Sequence, residues 1–306
     1  MWLAIRSGTA GEHNMKSVKA VENRDGRDVG RLLVIGGGED RGDQDTWCIL
    51  PRLVEMAGGD HACILVCGSS SEEPERVERL YKEQFEKLNV REVFESSMDD
   101  RRDGQSGALL DHVEAATAVF FTGGDQLRLT SLIAGTRFGQ RVHERLWNEG
   151  LIVAGTSAGA AAMSSTMLVA GPKDGTVRRS DVTLAPGLGF WRDATIDTHF
   201  SQRGRVSRVL TVFGQNPQIL GIGIDEDTAV EVTPGKQFTV IGRGAVFVFD
   251  GRVTHTSAPN VTEDEVITLT DSLMHILGAG YGFDLTSKRP ILRDGARIPG
   301  EAAVPA

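Results

Sequence analysis

The amino-acid sequence predicts an α/β fold: a mainly parallel sheet flanked by helices, with extra antiparallel strands in the C-terminal half. In the first half, short and unbroken apolar segments alternate with segments whose apolar residues recur at helical spacing. Unbroken apolar strands are typical of parallel sheets that helices cover on both faces. Beyond residue 180 the segments become shorter and often alternate apolar with polar residues, which indicates antiparallel strands at an edge or one end of the sheet.

Each element of the first half has a local signal. Pro74 lies near the start of the second helix and Gly150 ends the fourth, positions that these residues favour. The predicted order is strand 31–35, helix 46–59, strand 61–71, helix 74–90, strand 90–94, helix 106–117, strand 118–124, helix 137–150 and strand 151–155. The second half is predicted to contain one helix, 203–215, among the strand-like segments 194–200, 219–225, 228–232, 237–242 and 245–251.

The organisation of the chain follows from its length and its lack of a linker. The 306 residues suffice for one large α/β domain or two smaller ones, and no Pro/Ser-rich stretch divides them. We therefore predict a single domain over residues 29–296. Residues 1–28 are polar, contain glycine and lack sustained periodicity, so a loose leader is expected there, and residues 297–306 are expected to form a C-terminal tail.

Composition and charge disfavour several kinds of partner. A net charge of −9 without any Lys/Arg-rich run argues against a nucleic-acid partner. No apolar stretch approaches the roughly 20 residues that span a bilayer, so no membrane association is expected.

Cys48, Cys63 and Cys67 are odd in number, which favours buried thiols in a reducing compartment over disulfides. The first 14 residues lack a secretory-signal pattern, and the expected location is cytoplasmic.

Glycine-rich turns follow three of the predicted strands, at residues 36–40, 122–126 and 155–159. Because the ends of parallel strands form the ligand crevice of such sheets, these turns are candidate site segments. The first lacks G-x-G-x-x-G spacing, which disfavours a dinucleotide, and we expect neither a cofactor nor a metal. The third fits G-x-S-x-G, a strand–turn–helix elbow that makes Ser157 a candidate nucleophile; alternatively, its small residues only pack a strand against a helix.

A serine hydroxyl needs a general base, because it is essentially un-ionised at neutral pH. Of the seven histidines, His199 is the candidate, since it follows a predicted strand and precedes a helix that carries arginines. Arg203, Arg205 and Arg208 have the fork-shaped groups that recognise carboxylates. The alternative is a solvated helix face paired with surface acids.

The acidic run Asp225, Glu226 and Asp227 follows another predicted strand. One of its carboxylates could orient His199 and stabilise the imidazolium, as the third member of a catalytic triad does. Binding of calcium or magnesium is the alternative, although the loop lacks alternating ligand spacing. The chain order of serine, histidine and acid disfavours an ordinary α/β-hydrolase, in which the acid precedes the histidine.

Four segments, in this order and spacing, resemble the cyanophycinases of the S51 serine peptidases: FFTGGDQLRLTSL, GTSAGAAAMSS, DTHFSQRGRVSRVL and GIGIDEDTA. The likeness extends from about residue 30 to about residue 285. It implies a class I glutamine-amidotransferase-like fold, and hydrolysis of the poly-aspartate backbone of cyanophycin to β-Asp-Arg dipeptides. It also implies a homodimer that works without metal.

The resemblance assigns roles to particular residues. Ser157 would be the nucleophile, His199 the base and Glu226 the orienting acid, and the N–H groups of Ala158 and the Gly124 region would bind the oxyanion. Asp125 and Asp197 are also expected to meet substrate guanidinium groups. The residues expected at the substrate pocket are Gln126, Asp125, Asp197, Thr198, Arg203, Arg205 and Arg208.

Three other functions remain to be weighed. A peptidase for free aspartyl or isoaspartyl dipeptides, of the peptidase E type, would share the serine–histidine chemistry. This chain also departs from the cyanophycinase pattern at Thr198, where cyanophycinases often have glutamine, and this residue bears on the preference for substrate side chains. A catalytically silent binding protein is disfavoured because all three triad residues are present, and a glutamine amidotransferase would carry cysteine where Ser157 lies.

Overall fold

A computed structural model describes residues 21–22, 28–171, 175–250, 253 and 255–293. Within this described part the α-helices are α1 (Ile49–Met56), α2 (Pro74–Lys87), α3 (Gly107–Ala115), α4 (Gln126–Ile133), α5 (Arg137–Asn148), α6 (Ala158–Ala161) and α7 (Val206–Gln215). The strands are β1 (Val21–Glu22), β2 (Asp28–Val29), β3 (Leu32–Ile35), β4 (Cys63–Cys67), β5 (Glu92–Glu95), β6 (Ala118–Phe121), β7 (Ile152–Thr156), β8 (Thr166–Ala170), β9 (Thr183–Pro186), β10 (Ala194–Thr198), β11 (Leu220–Ile224), β12 (Thr228–Thr233), β13 (Gln237–Gly242), β14 (Val246–Asp250), β15 (His255–Thr256), β16 (Leu269–Thr270), β17 (Leu273–Leu277), β18 (Gly282–Asp284) and β19 (Arg289–Ile291). Short 3-10 helices lie at Gln44–Thr46, Gly59–His61, Asp103–Gln105, Arg179–Asp181 and Ser201–Arg203.

The main sheet has nine strands in the order β19-β18-β13-β12-β3-β7-β6-β4-β5. The five adjacent strands β3, β7, β6, β4 and β5 are parallel to one another. β12, β13, β18 and β19 continue the sheet with antiparallel pairing, and all come from the C-terminal half. The predicted α/β fold, with parallel core strands and antiparallel additions, is confirmed.

Helices cover the two faces of the parallel strands. Leu33 and Ile35 of β3 belong to a core with residues of α1 and α2. Leu32 and Val34, which point to the opposite face, belong to a core with residues of α3, α4 and α5. Both faces of the strand are therefore apolar, which explains why its sequence is an unbroken apolar run rather than an alternating one.

A second sheet of four strands, in the order β10-β11-β14-β17, corrects one expectation for the C-terminal half. β14 pairs antiparallel with β11 and β17, whereas β10 and β11 are parallel. The physical reason is α7, which lies between β10 and β11 in the chain and provides the crossover that parallel neighbours require. Strand-like sequence segments do not reveal which partner each strand will take.

Several short elements were absent from the sequence-based prediction, among them α4 and the β8–β9 hairpin. α4 begins directly after a glycine turn, where the carboxylate of Asp125 accepts hydrogen bonds from the N–H groups of Leu127 and Arg128. β8 and β9 form an antiparallel hairpin, and the side-chain N–H of Gln126 donates to carbonyls of β8. These elements are short, so capping and tertiary contacts rather than a long periodic pattern stabilise them.

The ends of the chain are only partly described. β1 and β2 pair antiparallel, so the described part of the predicted leader contains a short ladder. Residues 1–20 and 23–27 of that leader, and the predicted tail 297–306, lie outside the described residues. Cys63 and Cys67 are buried in β4, Cys48 is exposed, and all three are free thiols. Among the described helices, none is both long and apolar enough to cross a bilayer.

Candidate active site

The turn between β7 and α6 holds Ser157 in an uncommon backbone conformation, with φ 52° and ψ −112°. Positive φ is costly for a non-glycine residue and persists only where the surroundings enforce it. A Cβ at Gly155 would lie 2.6 Å from the carbonyl carbon of Gly159, and a Cβ at Gly159 would lie 2.3 Å from the carbonyl oxygen of Phe121. The small residues thus pack strand against helix, and that close packing presents Ser157 at the tip of the turn.

Ser157, His199 and Glu226 form a hydrogen-bonded line. Ser157 Oγ lies 2.8 Å from His199 Nε2, and His199 Nδ1 lies 2.7 Å from Glu226 Oε1. The imidazole is 10% exposed and the carboxylate 29%. A carboxylate on Nδ1 holds the proton there and leaves Nε2 free to accept the serine proton, the arrangement of a general base and its orienting acid.

The surroundings of the imidazole favour its neutral form. Burial lowers the pKa of His199, and the nearby positive charges of Arg203 and Arg205 lower it further, while the hydrogen bond with Glu226 acts in the opposite direction. The hydrogen bond from His199 lowers the pKa of Glu226. A neutral imidazole beside an ionised carboxylate is the state that can accept a proton.

The glycine turn after β3 makes room for the imidazole. Gly37 has φ 97°, and a Cβ there would lie 2.4 Å from His199 Cε1. The N–H of His199 donates to the carbonyl of Gly36, 2.9 Å away. The sequence marked this turn as a candidate site segment but gave it no role, whereas in the fold it forms one wall of the histidine site.

The residues predicted to bind the oxyanion lie beside Ser157. Ala158 is the first residue of α6, so its N–H has no acceptor in the same helix. A Cβ added at Gly123 would lie 3.3 Å from Ser157 Cβ, which places the Gly123–Gly124 turn against the serine. In the hydrogen bonds of the described residues, the N–H groups of Ala158 and Gly124 have no acceptor. This geometry suits an oxyanion hole, and the assignment stays a prediction.

The predicted arginine cluster differs from its expected form. Asp197 is 2% exposed; Arg205 Nη1 lies 2.8 Å from its Oδ1, and Arg208 Nε lies 3.2 Å from its Oδ2. The expectation that Asp197 meets a substrate guanidinium therefore disagrees with the structure, because the protein's own arginines occupy its carboxylate. Arg208, which is buried, is not placed as an open carboxylate fork. One carboxylate beside two guanidinium groups leaves a net positive charge near His199.

The other predicted pocket residues divide into buried and exposed positions. Thr198 is 4% exposed, so its side chain does not form the open surface of a pocket. The exposed Asp125 uses its carboxylate to cap α4, which competes with the predicted contact to a guanidinium. Gln126 is partly exposed and its amide N–H donates to Val169 O, 3.0 Å away. Arg203 is exposed close to the site, and of the predicted arginines it is the most open to a substrate.

The three acidic side chains after β11 have different partners and do not meet at one site. Asp225 accepts from the N–H groups of Ser201 and Ala245, whereas Glu226 faces His199. Asp227 accepts from the N–H of Asp40 and pairs with an arginine. In the part of the chain that the structure describes, no group of three or more His, Cys, Asp or Glu side chains has a metal-binding arrangement. Of the three carboxylates, only that of Glu226 contacts His199, and the other two bond to backbone N–H groups.

The chain matches a known peptidase family over more than half of its length. The profile of the family described as Peptidase family S51 matches residues 32–241, which include β3, the serine turn, His199 and Glu226. The chain belongs to peptidase family S51. This S51 protein is therefore a peptidase, and the family to which it belongs is of the serine type.

Curated relatives extend the likeness over most of the S51 chain. The protein named cyanophycinase from Synechococcus elongatus is 37% identical over 259 residues, which cover 84% of this chain and 79% of the relative. The cyanophycinase of Geminocystis herdmanii is 35% identical over 261 residues, covering 85% of this chain and 95% of the relative. A crystal structure of a peptidase from an acI-B1 actinobacterium has the same fold, with a TM-score of 0.61 and 20% identity over 84% of this chain and 97% of that one.

Sequence reasoning missed several residues around the triad of this S51 peptidase. Arg41 Nη1 lies 3.3 Å from Glu226 Oε2, and the side-chain oxygen of Gln202 accepts from the N–H of Glu226. The carboxylate of Glu39 accepts from the hydroxyl of Thr156, the residue before Ser157. A signal was present, since parallel strand ends meet at one edge and the turn at 36–40 follows the first strand, but which side chains meet depends on the fold.

Proposed function

We propose that this peptidase hydrolyses the aspartyl backbone of cyanophycin and releases β-Asp-Arg dipeptides through an acyl-enzyme on Ser157. Relatives named cyanophycinase, similar over more than four-fifths of the chain, support the substrate. The single observation that carries the chemistry is the line from Ser157 Oγ to His199 Nε2 to Glu226, with distances of 2.8 and 2.7 Å. A peptide bond, a serine nucleophile and a histidine base suffice for acyl transfer.

In the first half-reaction, His199 Nε2 takes the proton from Ser157 Oγ as that oxygen attacks the scissile carbonyl. The carbonyl oxygen becomes an oxyanion, which accepts hydrogen bonds from the N–H groups of Ala158 and Gly124. When the C–N bond breaks, His199 returns the proton to the leaving amine. Water then repeats the steps on the ester, so serine and histidine are regenerated and the product leaves with a new carboxyl group.

Substrate carboxylates are attracted by the positive charge beside His199. Arg203 is the proposed direct contact, because it is exposed and lies near the triad. Arg205 and Arg208 contribute through the excess charge of their buried cluster with Asp197 rather than through open forks. Gln126 is a second proposed contact, since it is partly exposed and fixed by its bond to β8.

The test compares substrates on the purified full chain. Cyanophycin, α-linked aspartyl dipeptides and β-linked aspartyl dipeptides are incubated separately, and the products are identified by mass spectrometry. Release of β-Asp-Arg from the polymer is expected, with Ser157→Ala as the inactive control. Cleavage of dipeptides without cleavage of the polymer would replace the proposal with an aspartyl dipeptidase. Failure of a fluorophosphonate to label the folded protein would overturn the role of Ser157.

We propose further that the peptidase acts in the cytoplasm as a homodimer. The three free cysteines support a reducing compartment. β17 is an edge strand of its sheet and exposes Leu273, Met274 and Ile276, at 46%, 50% and 59% of their surfaces. An exposed apolar edge strand favours pairing with another strand, here of a second copy. Light scattering should give a dimer mass, and Ile276→Lys should shift the mass toward that of a monomer.

A further inference from the structure

The end of β3 and the turn that follows it contact Ser157, His199 and the residue after Glu226. Ser157 N–H donates to the carbonyl of Ile35, 3.1 Å away, at the end of that strand. Gly37 packs on the imidazole of His199, and its carbonyl accepts a hydrogen bond from the N–H of Asp227, the residue after Glu226. Segments distant in sequence are therefore aligned against one short turn. The side chain of this turn that points to the nucleophile strand is Glu39.

The carboxylate of Glu39 bonds to strand β7 and to a tyrosine that packs on the apolar core. Its Oε2 lies 2.7 Å from Thr156 Oγ1, and its Oε1 lies 2.7 Å from the hydroxyl of Tyr81. The ring of Tyr81 packs on Phe120, with ring centroids 4.6 Å apart. Burial, and then the carboxylate of Glu39, raise the pKa of Tyr81, so its hydroxyl stays protonated and donates. Glu39 is thus fixed by the core at one oxygen while the other oxygen holds the nucleophile strand.

We propose that Glu39 is a positioning residue that holds Thr156, and through it the strained turn that aims Ser157 Oγ at His199. The inference rests on the proposed nucleophilic role of Ser157. Strained backbone persists only where several contacts over-determine it. On the strand side of Ser157 these contacts include the backbone bond to Ile35 and the hydroxyl bond from Thr156 to Glu39. A small rotation of the turn would lengthen the hydrogen bond to His199 and slow proton transfer.

The test follows the rate at which a fluorophosphonate labels Ser157, together with kcat and KM on the substrate that the parent protein cleaves. Labelling needs an activated serine but not the natural substrate, so it separates this inference from the choice of substrate. Glu39→Ala should slow labelling and lower kcat by about 10- to 100-fold, the equivalent of a hydrogen bond to a charged group, with KM nearly unchanged. Glu39→Gln should recover most of this loss, because the amide can still bond to both hydroxyls.

A double-mutant cycle examines whether Glu39 acts through Thr156. Thr156→Val removes the hydroxyl with little change in volume, and should slow labelling as Glu39→Ala does. The double variant should then be no slower than either single variant, because both remove the same contact. Tyr81→Phe keeps the packed ring and removes the second anchor of the carboxylate, so a smaller loss is expected.

Glu231→Gln is the matched control. Glu231 is a mostly buried carboxylate on β12 that pairs with Arg31 and Arg52, so its loss should lower Tm without slowing the labelling of Ser157. If Glu39→Ala labels as fast as the parent, or if its effect adds fully to that of Thr156→Val, the inference is overturned. Absence of labelling in the parent would overturn the proposed nucleophile itself, and this inference with it.

Discussion

We expect Glu226→Gln to lower kcat far more than the loss of one hydrogen bond would, because Arg41 lies beside the second oxygen of Glu226. In the parent protein, Glu226 Oε1 faces His199 Nδ1 at 2.7 Å and Oε2 faces the guanidinium of Arg41 at 3.3 Å. Arg41 can only donate, so it favours the oxygen of the new amide on its own side. The NH2 group of the amide then faces His199 Nδ1.

The expected loss of kcat follows from the tautomer of His199 that this orientation of the amide selects. An NH2 donor at Nδ1 requires that nitrogen to be unprotonated, which places the imidazole proton on Nε2, where the serine proton must be accepted. Loss of a hydrogen bond to a charged group alone would cost about 10- to 100-fold in rate. Selecting the wrong tautomer raises the expected loss of kcat to about 10⁴-fold.

The assay is kcat on the cleaved substrate together with the rate of fluorophosphonate labelling. Arg41→Met alone should cost about fivefold or less, because its ion pair is largely exposed. In the combined variant Arg41→Met, Glu226→Gln the amide can turn its oxygen to His199, so the rate should partly recover. A loss of less than about 10-fold for Glu226→Gln would refute the role of Glu226. A combined variant no faster than Glu226→Gln would refute the argument from orientation.

Three further predictions concern the surroundings of the triad. Burial lowers the pKa of His199, and the base must be neutral, so the acid limb of kcat/KM should have its midpoint below pH 6.5. Arg203→Gln removes a nearby positive charge and should move that midpoint upward. A midpoint above pH 6.5 in the parent protein would contradict the role of His199. Asp197→Ala leaves the buried Arg208 and the partly exposed Arg205 without their carboxylate, so urea denaturation should give a free energy of unfolding lower by about 3–5 kcal/mol; a change of less than about 1 kcal/mol would argue against a buried ion cluster. Gly37→Ala places a Cβ 2.4 Å from the imidazole and should abolish labelling while circular dichroism stays unchanged; retained labelling would mean that the turn does not confine His199.

The parallel half of the sheet could be predicted because its signals are local. The strands β3, β4, β6 and β7 are short, mostly apolar segments, and all their residues are buried. An unbroken apolar segment of this length therefore predicts a buried strand without knowledge of the fold. α4 and the β8–β9 hairpin were not predicted, since both are short and the bond that joins them, from Gln126 to Val169, links residues 43 positions apart in the chain. Likewise, the parallel pairing of β10 with β11 depends on the path of α7.

The candidate triad was predictable because motifs surround its members, but its supporting contacts were not. Arg41 and Glu226 are 185 residues apart in the chain, and Glu39 and Thr156 are 117 residues apart. No local pattern signals such a pair. For Asp197, charge in the sequence suggested a ligand for substrate, whereas its burial made it the partner of two arginines.

The sequence by itself determined the α/β layering and the residue types of the candidate triad: a serine between glycines, a histidine after a strand and an acid after another. These follow from short-range periodicity and from motifs that hold over a few residues. Only the tertiary structure decided which carboxylates are free and which are already paired, and that a glycine turn with Glu39 and Arg41 encloses the triad. The reason is physical: burial and hydrogen bonding across more than a hundred residues depend on how strands are ordered in the sheet, and a linear pattern does not contain that order.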